Sequence, residues 1–407
     1  MAGMLDDVKV LDFTTNAAGP VASAEMSDYG AQVIKIESMN GGPERTYVPI
    51  LEGKSLTHAW VNRGKKSITL NLKDPRAVEI VKALAKDADV LIESNRPGVM
   101  KRLGLDYETL KEVNPALIYC SLTAFGQTGP YSQKPGFDMM GQALSGMMSI
   151  TGEKGGQPLK HGIALADYFG GFNVFASVLT ALHYQRRTGK GQYIDVSLLQ
   201  GMIHLNSTID RLNDGVLCKP NGNHHSGLCP FGCFNTDKGE SVIICAPSAK
   251  AWEAVAKAMN RPDYLTDPEY NTIGARTKNM VKVIAEIEAW LSSFPSLKEA
   301  CVRMDECHMA YCLVNNDQQV VDDPQVKHMG YIVQAPTPDD IKQPTYQTRG
   351  CNAFFSDVPG EIHKAATLGQ HNHEVLGGLG YSDEEIDQLM KEFKEEMLKG
   401  TILVSPE

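Results

Sequence analysis

The segment VKVLDFTTNAAGPVASAEMSDYGAQVIKI, residues 8–36, decides the fold of the first part of the chain. A β-rich run covers residues 8–11, a helical pattern covers Pro20–Tyr29, and a second β-rich run covers residues 32–36. Gly30 stands where the helix would end, because glycine adopts the left-handed conformation of a helix terminus without a steric penalty. The segment therefore predicts a strand–helix–strand unit.

The same alternation continues to about residue 125. Further β-rich runs cover residues 67–72, 89–92 and 117–120, and a helix is expected after Asp74 and Pro75, with Asp74 as its cap. Strands that alternate with helices of this size are typical of a mostly parallel sheet. We therefore expect an α/β protein: a Rossmann-like large domain with a parallel sheet, plus a smaller α+β domain.

The clearest change in composition lies in residues 219–232, which are rich in Gly, Pro, Asn and His. We place the first domain boundary there. The expected organisation is a first part of the large α/β domain over residues 1–218 and a small α+β domain over 219–332. Residues 333–407 are expected to return to the large domain and to end in a helix that packs on it.

Composition and charge exclude several classes of protein. Of the 407 residues, 42% are hydrophobic and 22% are charged, which is typical of a globular protein rather than a disordered or fibrous one. A net charge of -10 argues against a protein that binds nucleic acid over a broad basic face. We expect no membrane helix, because no continuous apolar run approaches the roughly 18–20 residues that such a helix needs. The N-terminus is acidic, where a signal peptide would carry positive charge. We expect a cytoplasmic protein that binds neither nucleic acid nor a membrane.

Neither the cysteines nor the common motifs indicate a resident cofactor. The nine cysteines show no short repeated spacing, which favours isolated thiols over a disulfide framework. His224, His225, Cys229 and Cys233 include zinc-ligand types, but their stretch has the composition of a loop, so we expect no metal site. The sequence contains no G-x-G-x-x-G after the first strand, no Walker lysine motif, no G-x-S-x-G and no H-E-x-x-H.

Asp167 is distinguished by its position. It follows a strand-like run, residues 163–166, and precedes a long apolar helix expected to extend to about residue 187. A carboxylate at such a junction faces the unpaired N–H groups of the helix, which would keep it ionised while it is partly withdrawn from water. From spacing alone, Asp167 is either a reactive carboxylate or only the cap of the helix.

Eight short motifs follow one another along the chain: VLDF (10–13), AGP (18–20), GAQVIKIE (30–37), NPALIY (114–119), AFGQTGPY (124–131), QALSG (142–146), ADY (166–168) and TGKGQ (188–192). Taken together and in this order, they resemble the class III CoA-transferases, the group that includes formyl-CoA:oxalate and carnitine CoA-transferases. The resemblance runs nearly end to end.

The resemblance implies a reaction and a nucleophile. Asp167 would attack an acyl-CoA, and CoA would pass to a free carboxylic acid through aspartyl anhydride and aspartyl-CoA thioester intermediates. Acyl-CoA would be a substrate, with no tightly bound cofactor and no metal. Backbone N–H groups of Gly170 and Gly171, or of the loop 222–227, are candidates for stabilising the oxyanions. The family likeness also implies an interlinked homodimer.

The family's CoA contacts would fall on Ala17, Ala18, Leu70, Lys73, Ser94, Asn95, Arg96 and Arg102. Arg96 and Arg102 would bind the phosphates. The chain departs from the family at Ser38, where several members have Arg, and at residues 93–98, where many read Glu-Asn-Phe-Arg-Pro-Gly. Lys65 is expected on a solvated face.

An α-methylacyl-CoA racemase is the main alternative that the resemblance leaves. Racemisation needs two bases on opposite sides of the α-carbon, and racemases of the family carry one on a His in an Ala-Gly-His-Asp segment. Phe137 occupies that position in the segment Pro135–Asp138, and phenylalanine cannot transfer a proton. A non-catalytic CoA-binding protein is a further alternative, which the presence of Asp167 disfavours.

The acceptor is expected to be a medium-sized acid: a 2-hydroxy, branched, aromatic or carnitine-like acid. Formate- and oxalate-type members carry a run of glycines in a loop of the small domain, and residues 222–228 lack that run. Ala17, Phe137 and the methionines 139, 140, 147 and 148 indicate a larger and less polar substrate.

Overall fold

The computed structural model describes residues 3–402. The chain forms two compact units: the first contains the chain up to Met147, Lys160–Ile209 and the chain from His328 onward, and the second contains Met148–Leu159 and Asp210–Lys327. The chain thus leaves the first unit twice and re-enters it near residue 328.

The strands are short and most lie in the first unit. They are β1 (Lys9–Phe13), β2 (Gln32–Glu37), β3 (Ile50–Leu51), β4 (Lys54–Ser55), β5 (Lys66–Thr69), β6 (Val90–Glu93), β7 (Ile118–Thr123), β8 (Tyr193–Ser197), β9 (Phe231–Asn235), β10 (Ser241–Cys245), β11 (Tyr311–Leu313), β12 (Ile332–Pro336) and β13 (Thr345–Arg349).

The helices are more numerous than the sequence pattern indicates. They are α1 (Ala18–Asp28), α2 (Leu56–Val61), α3 (Pro75–Ala85), α4 (Val99–Arg102), α5 (Tyr107–Val113), α6 (Asp138–Leu144), α7 (Met147–Ile150), α8 (Leu165–Thr188), α9 (Leu198–Leu205), α10 (Ala249–Ala258), α11 (Ile273–Lys278), α12 (Met280–Ser292), α13 (Leu297–Glu306), α14 (Asp317–Asp322), α15 (Pro324–Met329), α16 (Asn372–Gly377) and α17 (Asp383–Ile402), with 3-10 helices at Pro43–Thr46, Ser207–Asp214 and Pro262–Leu265.

The first unit is built on a six-stranded sheet in the order β5-β2-β1-β6-β7-β8, and all its strand pairs are parallel. This confirms the Rossmann-like parallel sheet expected from the sequence. In register, Val10 of β1 pairs with Val33 of β2 on one side and with Val90 of β6 on the other. The chain order reverses between β1 and β6, and ligands of open α/β sheets bind beyond the carboxyl ends of the strands at such a reversal.

Helices cover both faces of this sheet. Leu11 and Phe13 of β1 point into a core that contains Ile80 of α3 and Phe393 of α17, whereas Val10 points into the opposite core. The second core is filled mainly from α1 and α8. The alternation along β1 is what a strand buried on both faces requires. The capping prediction for α3 is confirmed, because Asp74 accepts from the N–H of Arg76. Ser382 and Glu385 cap α17 reciprocally.

Helix α8 is the longest helix of the second core. Its most apolar 18-residue window has a mean hydropathy of 1.3, with 39% of that window buried, so by length and composition it could cross a membrane. The sequence expectation that no segment reaches membrane length is therefore wrong for α8, because helical windows tolerate scattered polar residues. Core helices meet the same criterion. Here a Cβ on Gly171 would lie 2.6 Å from the carbonyl oxygen of Ala18, which shows how closely α8 packs on α1.

The carboxylate of Asp12, at the end of β1, is completely buried and fully engaged. Its Oδ1 accepts from the N–H and hydroxyl of Thr14 at 2.8 and 2.6 Å, and its Oδ2 accepts from Ser23 at 2.6 Å. Lys65 donates to Oδ2 at 2.9 Å, and the ammonium of Lys35 lies 3.6 Å from Oδ1. Although burial opposes its ionisation, Lys35 and Lys65 hold the pKa of Asp12 well below its usual range.

The buried position of Lys65 corrects the expectation of a solvated side chain. Its ammonium also donates to the carbonyl of Pro20 at 2.8 Å and to Asn62 at 2.9 Å, so all three of its hydrogens have acceptors. Burial lowers the pKa of Lys65 to about 8, although Asp12 opposes this change. Asp12, the charged partner of Lys65, lies 53 residues away in the sequence, so the spacing of neighbouring residues does not reveal this contact.

The second unit contains a separate antiparallel sheet in the order β11-β10-β9. Its core includes Phe234 of β9, Trp252 of α10, Ile287 of α12 and Met304 of α13. The sequence has helical patterns over residues 248–259, 279–291 and 297–306, and these correspond to α10, α12 and α13.

Replacing Asp12 with Asn should lower the free energy of unfolding by about 3–5 kcal/mol, because two buried ammonium groups would lose their common counter-charge. Urea denaturation measures this difference. The matched control is Glu79→Gln, which removes a carboxylate from the exposed pair with Lys82 and should cost about 0.5 kcal/mol or less. Equal effects of the two substitutions would contradict the structural role assigned to Asp12.

Candidate active site

A cavity of about 240 Å³ opens beyond the carboxyl ends of β1, β6 and β7, at the point where the strand order reverses. Its position is the one that open α/β sheets use for ligands. The residues that line it come from the first unit: Thr15, Asn16, Ala17, Ala18, Gly19, Tyr47, Ser94, Leu122, Thr123, Ala124, Gly136, Phe137, Asp167 and Leu198.

The loop between β1 and α1 forms one wall of this cavity and is held from several sides. Asn16 adopts a left-handed backbone conformation, with φ of 68°, which Asn tolerates better than most residues. Its N–H donates to Glu44 at 3.2 Å, and its side-chain oxygen accepts from the hydroxyl of Tyr47 at 2.5 Å. The N–H of Thr15 donates to Ser94 at 3.0 Å. The loop is thus fixed to the end of β6.

Asp167 lies in the first turn of α8 rather than at its cap. The helix begins at Leu165, the cap position is Ala164, and Ala164 offers no side-chain acceptor. The expected strand-like run over residues 163–166 is therefore wrong in its second half, because so short an apolar run fits the first turn of a buried helix equally well. The alternative that Asp167 is simply the helix cap is excluded by the same observation.

The free amides at the start of α8 are taken by Asp138, the first residue of α6. Its Oδ1 accepts from the N–H of Ala166 at 2.6 Å and from the N–H of Asp167 at 3.3 Å. Its Oδ2 accepts from the side-chain amide of Gln142 at 2.7 Å. A carboxylate from another helix thus performs the capping that Ala164 cannot.

The carboxylate of Asp167 is left without such support. Within residues 3–402 the structure shows no hydrogen bond or ion pair to it, and the side chain is half-buried against the cavity. Burial raises the pKa of Asp167 to about 7, and the neighbouring Asp138 adds to this rise. The expectation that the helix amides keep Asp167 ionised is wrong, because Asp138 occupies those amides.

Gly170 and Gly171 serve close packing. A Cβ on Gly170 would lie 2.7 Å from Cδ2 of Leu198, and one on Gly171 would meet α1. Both residues are interior to α8, where N–H groups donate to carbonyls of the preceding turn. Their predicted role as oxyanion donors is therefore wrong. The other candidate, the loop 222–227, belongs to the second unit and stays a prediction.

The structure brings three of the predicted CoA contacts together with Asp167. Ala17, Ala18 and Ser94 all line its cavity. Leu70 is only 2% exposed and packs in the core, so main-chain atoms alone are available to a ligand there.

The remaining predicted contacts lie at other places in the first unit. Lys73 is exposed after β5. The N–H of Asn95 donates to Glu93 at 2.7 Å, and its side-chain amide contacts the sulfur of Met100 at 3.4 Å.

Arg96 belongs to the connection between β6 and α4, and Arg102 is the last residue of α4. Arg96 and Lys101 line a separate cavity of about 330 Å³, together with Gly98. Arg102 extends past the same glycine, since a Cβ built on Gly98 would lie 3.4 Å from its Nη1. All three cations are exposed, and none of them forms an ion pair with any other residue in the described range.

Sequence reasoning missed Asn16, Tyr47 and Asp138. Asparagine before a helix start is a recognisable candidate for the left-handed region. Asp138 also reads as a local first-turn acid of α6, and nothing in the sequence shows that it caps a different helix. Phe137, singled out earlier as the replacement for a racemase histidine, occupies the N-cap position of α6 without a side-chain cap bond. It is 65% exposed and lines the cavity with Asp167.

A further cavity of the first unit carries none of the predicted site residues. A cavity of about 500 Å³ is lined by parts of residues 329–362 and contains no predicted site residue. Over the described part of the chain, no group of three or more His, Cys, Asp or Glu side chains is arranged to hold a metal ion.

Comparisons with known proteins show the family to which the chain belongs. The family model for CoA-transferase family III matches residues 5–372. The human succinyl-CoA:glutarate CoA-transferase is 34% identical over 402 residues, covering 95% of this chain and 88% of its own. A succinyl-CoA:mesaconate CoA-transferase from Haloarcula marismortui is 33% identical, covering 93% and 97% of the two chains.

A solved structure gives the same result for the fold. The crystal structure of a CAIB/BAIF family protein from Brucella suis superposes with a TM-score of 0.83 at 31% identity, covering 93% of this chain and all of that one. The family match extends over both units of the chain and over the Asp167 cavity. This chain belongs to CoA-transferase family III and is an enzyme of that class.

Proposed function

We propose that this enzyme moves CoA from an acyl-CoA to a free carboxylic acid, with Asp167 as the covalent nucleophile. The observation that carries the proposal is the state of the Asp167 carboxylate, which faces the cavity at the strand reversal and receives no hydrogen bond from the part of the chain that the structure describes. A carboxylate that is poorly solvated and has a raised pKa is a stronger nucleophile than one in water.

The exchange proceeds in four balanced steps. A carboxylate oxygen of Asp167 attacks the thioester carbonyl, a C–O bond forms and the C–S bond breaks, which gives a mixed anhydride and CoA thiolate. The thiolate attacks the aspartyl carbonyl and expels the donor acid, which leaves an aspartyl-CoA thioester. The acceptor carboxylate then displaces the thiolate to form a second anhydride. The thiolate finally attacks the acceptor carbonyl and releases Asp167 as a carboxylate.

The placement of CoA follows from the cavity and from the nearby cations. We propose that the thioester lies against Ala17, Ala18 and Ser94, close to the nucleophile. The phosphates would then reach Arg96 and Arg102, exposed cations that have no ion-pair partner among the described residues. Guanidinium groups bind phosphate oxygens with two parallel hydrogen bonds, which suits this task.

The acceptor is proposed to be a medium-sized acid of the 2-hydroxy, branched, aromatic or carnitine-like kind. Phe137 and Leu198 supply apolar surface to a cavity of about 240 Å³, more than a two-carbon acid fills. The relatives named above act on glutarate and on mesaconate, which are acids of five carbons.

Replacing Asp167 with Ala or Asn should lower the rate of CoA transfer at least about 10³-fold, because both variants lack the attacking oxygen. Transfer from acetyl-CoA or succinyl-CoA to a panel of acids, with CoA binding measured separately, tests this. CoA binding should be retained, since it does not depend on the covalent step. Near-normal transfer by Asp167→Asn would contradict the proposed nucleophile.

The raised pKa of Asp167 also predicts a pH-dependent stability difference. Between about pH 4 and pH 7 the carboxyl is protonated when folded and ionised when unfolded, so its contribution to stability falls as the pH rises. Asp167→Asn removes that penalty. The variant should match the wild type near pH 4 and exceed it by up to a few kcal/mol at pH 8 in urea denaturation. An equal difference at both pH values would contradict the burial of this carboxylate.

A further inference from the structure

We propose that Asp138 is a positioning residue for the Asp167 nucleophile: by accepting the first amides of α8, it holds the turn that carries Asp167 and withholds those donors from it. This inference rests on the proposed function. Asp138 does not line the cavity, and both its oxygens are engaged within the protein, so it acts through Asp167 and not on the substrate.

The first step of the argument concerns the helix terminus. An acid in the first turn of a helix is ordinarily stabilised by the free N–H groups there, which lower its pKa and solvate its charge. In α8 the cap position is Ala164, whose side chain has no hydrogen-bond acceptor, so these amides need a partner from another part of the chain. Oδ1 of Asp138 takes the amides of Ala166 and Asp167. The carboxylate of Asp167 therefore receives no hydrogen bond from these two amides, which would otherwise stabilise its charge.

The second step concerns the orientation of Asp138 itself. Gln142, one turn further along α6, donates to Oδ2 of Asp138 at 2.7 Å. The oxygen of the same Gln142 amide accepts from the N–H of His161 at 2.8 Å, and the Gln142 side chain is only 2% exposed. The segment before α8 and the first turn of α8 are therefore both fastened to α6. A shift of α6 would move the nucleophile.

The third step concerns charge. The titratable groups near the Asp167 carboxyl are Asp138 on α6 and Tyr47 on the segment before β3. The other residues that line the cavity, from the β1–α1 loop, β6, β7 and α9, are uncharged. The negative charge of Asp138 therefore has no cation in the cavity lining to offset it, and it disfavours ionisation of Asp167. A more basic carboxylate is a better nucleophile toward the thioester.

Asp138→Asn is the decisive variant, because it removes the charge and keeps an oxygen that can accept the two amides, although its NH2 group can no longer accept from Gln142. The acid limb of the pH–rate profile for CoA transfer should move to lower pH by about one unit, with the plateau rate changed less. Asp138→Ala removes the acceptor as well. Its transfer rate should fall about tenfold or more, and the amides of residues 166 and 167 should exchange hydrogen faster than in the wild type.

The chain offers a matched control in Asp323. Its Oδ1 also accepts two amides in the first turn of a helix, those of Gln325 at 2.8 Å and Val326 at 3.1 Å, but it lies in the second unit. Asp323→Asn should leave the pH–rate profile as in the wild type. If the role of Asp138 were purely structural, Asp138→Asn would also leave the acid limb of the pH–rate profile unchanged.

The inference is overturned if Asp138→Asn keeps the wild-type acid limb, or if Asp138→Ala leaves the exchange of amides 166 and 167 unchanged. A failure of the proposed function looks different. In that case the wild-type enzyme itself transfers no CoA between acids, while hydrogen exchange still reports whether Asp138 holds the first turn of α8. Should Asp138→Ala fail to fold, the Asn variant and its pH–rate profile decide the question.

Discussion

The buried carboxylate of Asp12 is the interaction on which the architecture of the first unit depends. It accepts from Thr14 in the loop after β1, from Ser23 in α1 and from Lys65 before β5, and it lies beside Lys35 of β2. Three neighbouring strands and one helix therefore share a single charged centre. Burying these charges is tolerable because each lies beside a group of opposite charge, and loss of one member leaves its partners uncompensated.

The candidate site depends on this arrangement together with a second carboxylate, the half-buried Asp138. The loop that Asp12 fixes at Thr14 continues into Asn16 and Ala17, which form one wall of the cavity. Asp138 caps α8 and leaves the Asp167 carboxylate without a hydrogen-bond donor among residues 3–402. The protein thus places one acid where it stabilises a helix and another where ionisation costs free energy. Ionisable groups that are destabilised in this way are typical of active sites, because a fully stabilised carboxylate is less reactive.

The sequence predicted those features that depend on local pattern. The β-rich runs and caps revealed the parallel sheet and the start of α3, and the order of motifs brought Ala17, Ser94 and Asp167 to attention. It did not reveal features that depend on contacts between distant segments. The burial of Lys65 and the capping of α8 by Asp138 join residues 53 and 28 positions apart. Short apolar runs were also ambiguous between strand and helix, so the beginning of α8 was misplaced.

The measurement that tests the central claim most directly is the trapping of the covalent intermediate. The enzyme is incubated with acyl-CoA and then treated with borohydride, which reduces an aspartyl-CoA thioester to an alcohol, and the peptides are analysed by mass spectrometry. The account predicts a modification at Asp167 that requires acyl-CoA and is absent from Asp167→Asn. A modification on a cysteine, or an unmodified Asp167 in an enzyme that transfers CoA under the same conditions, would contradict it.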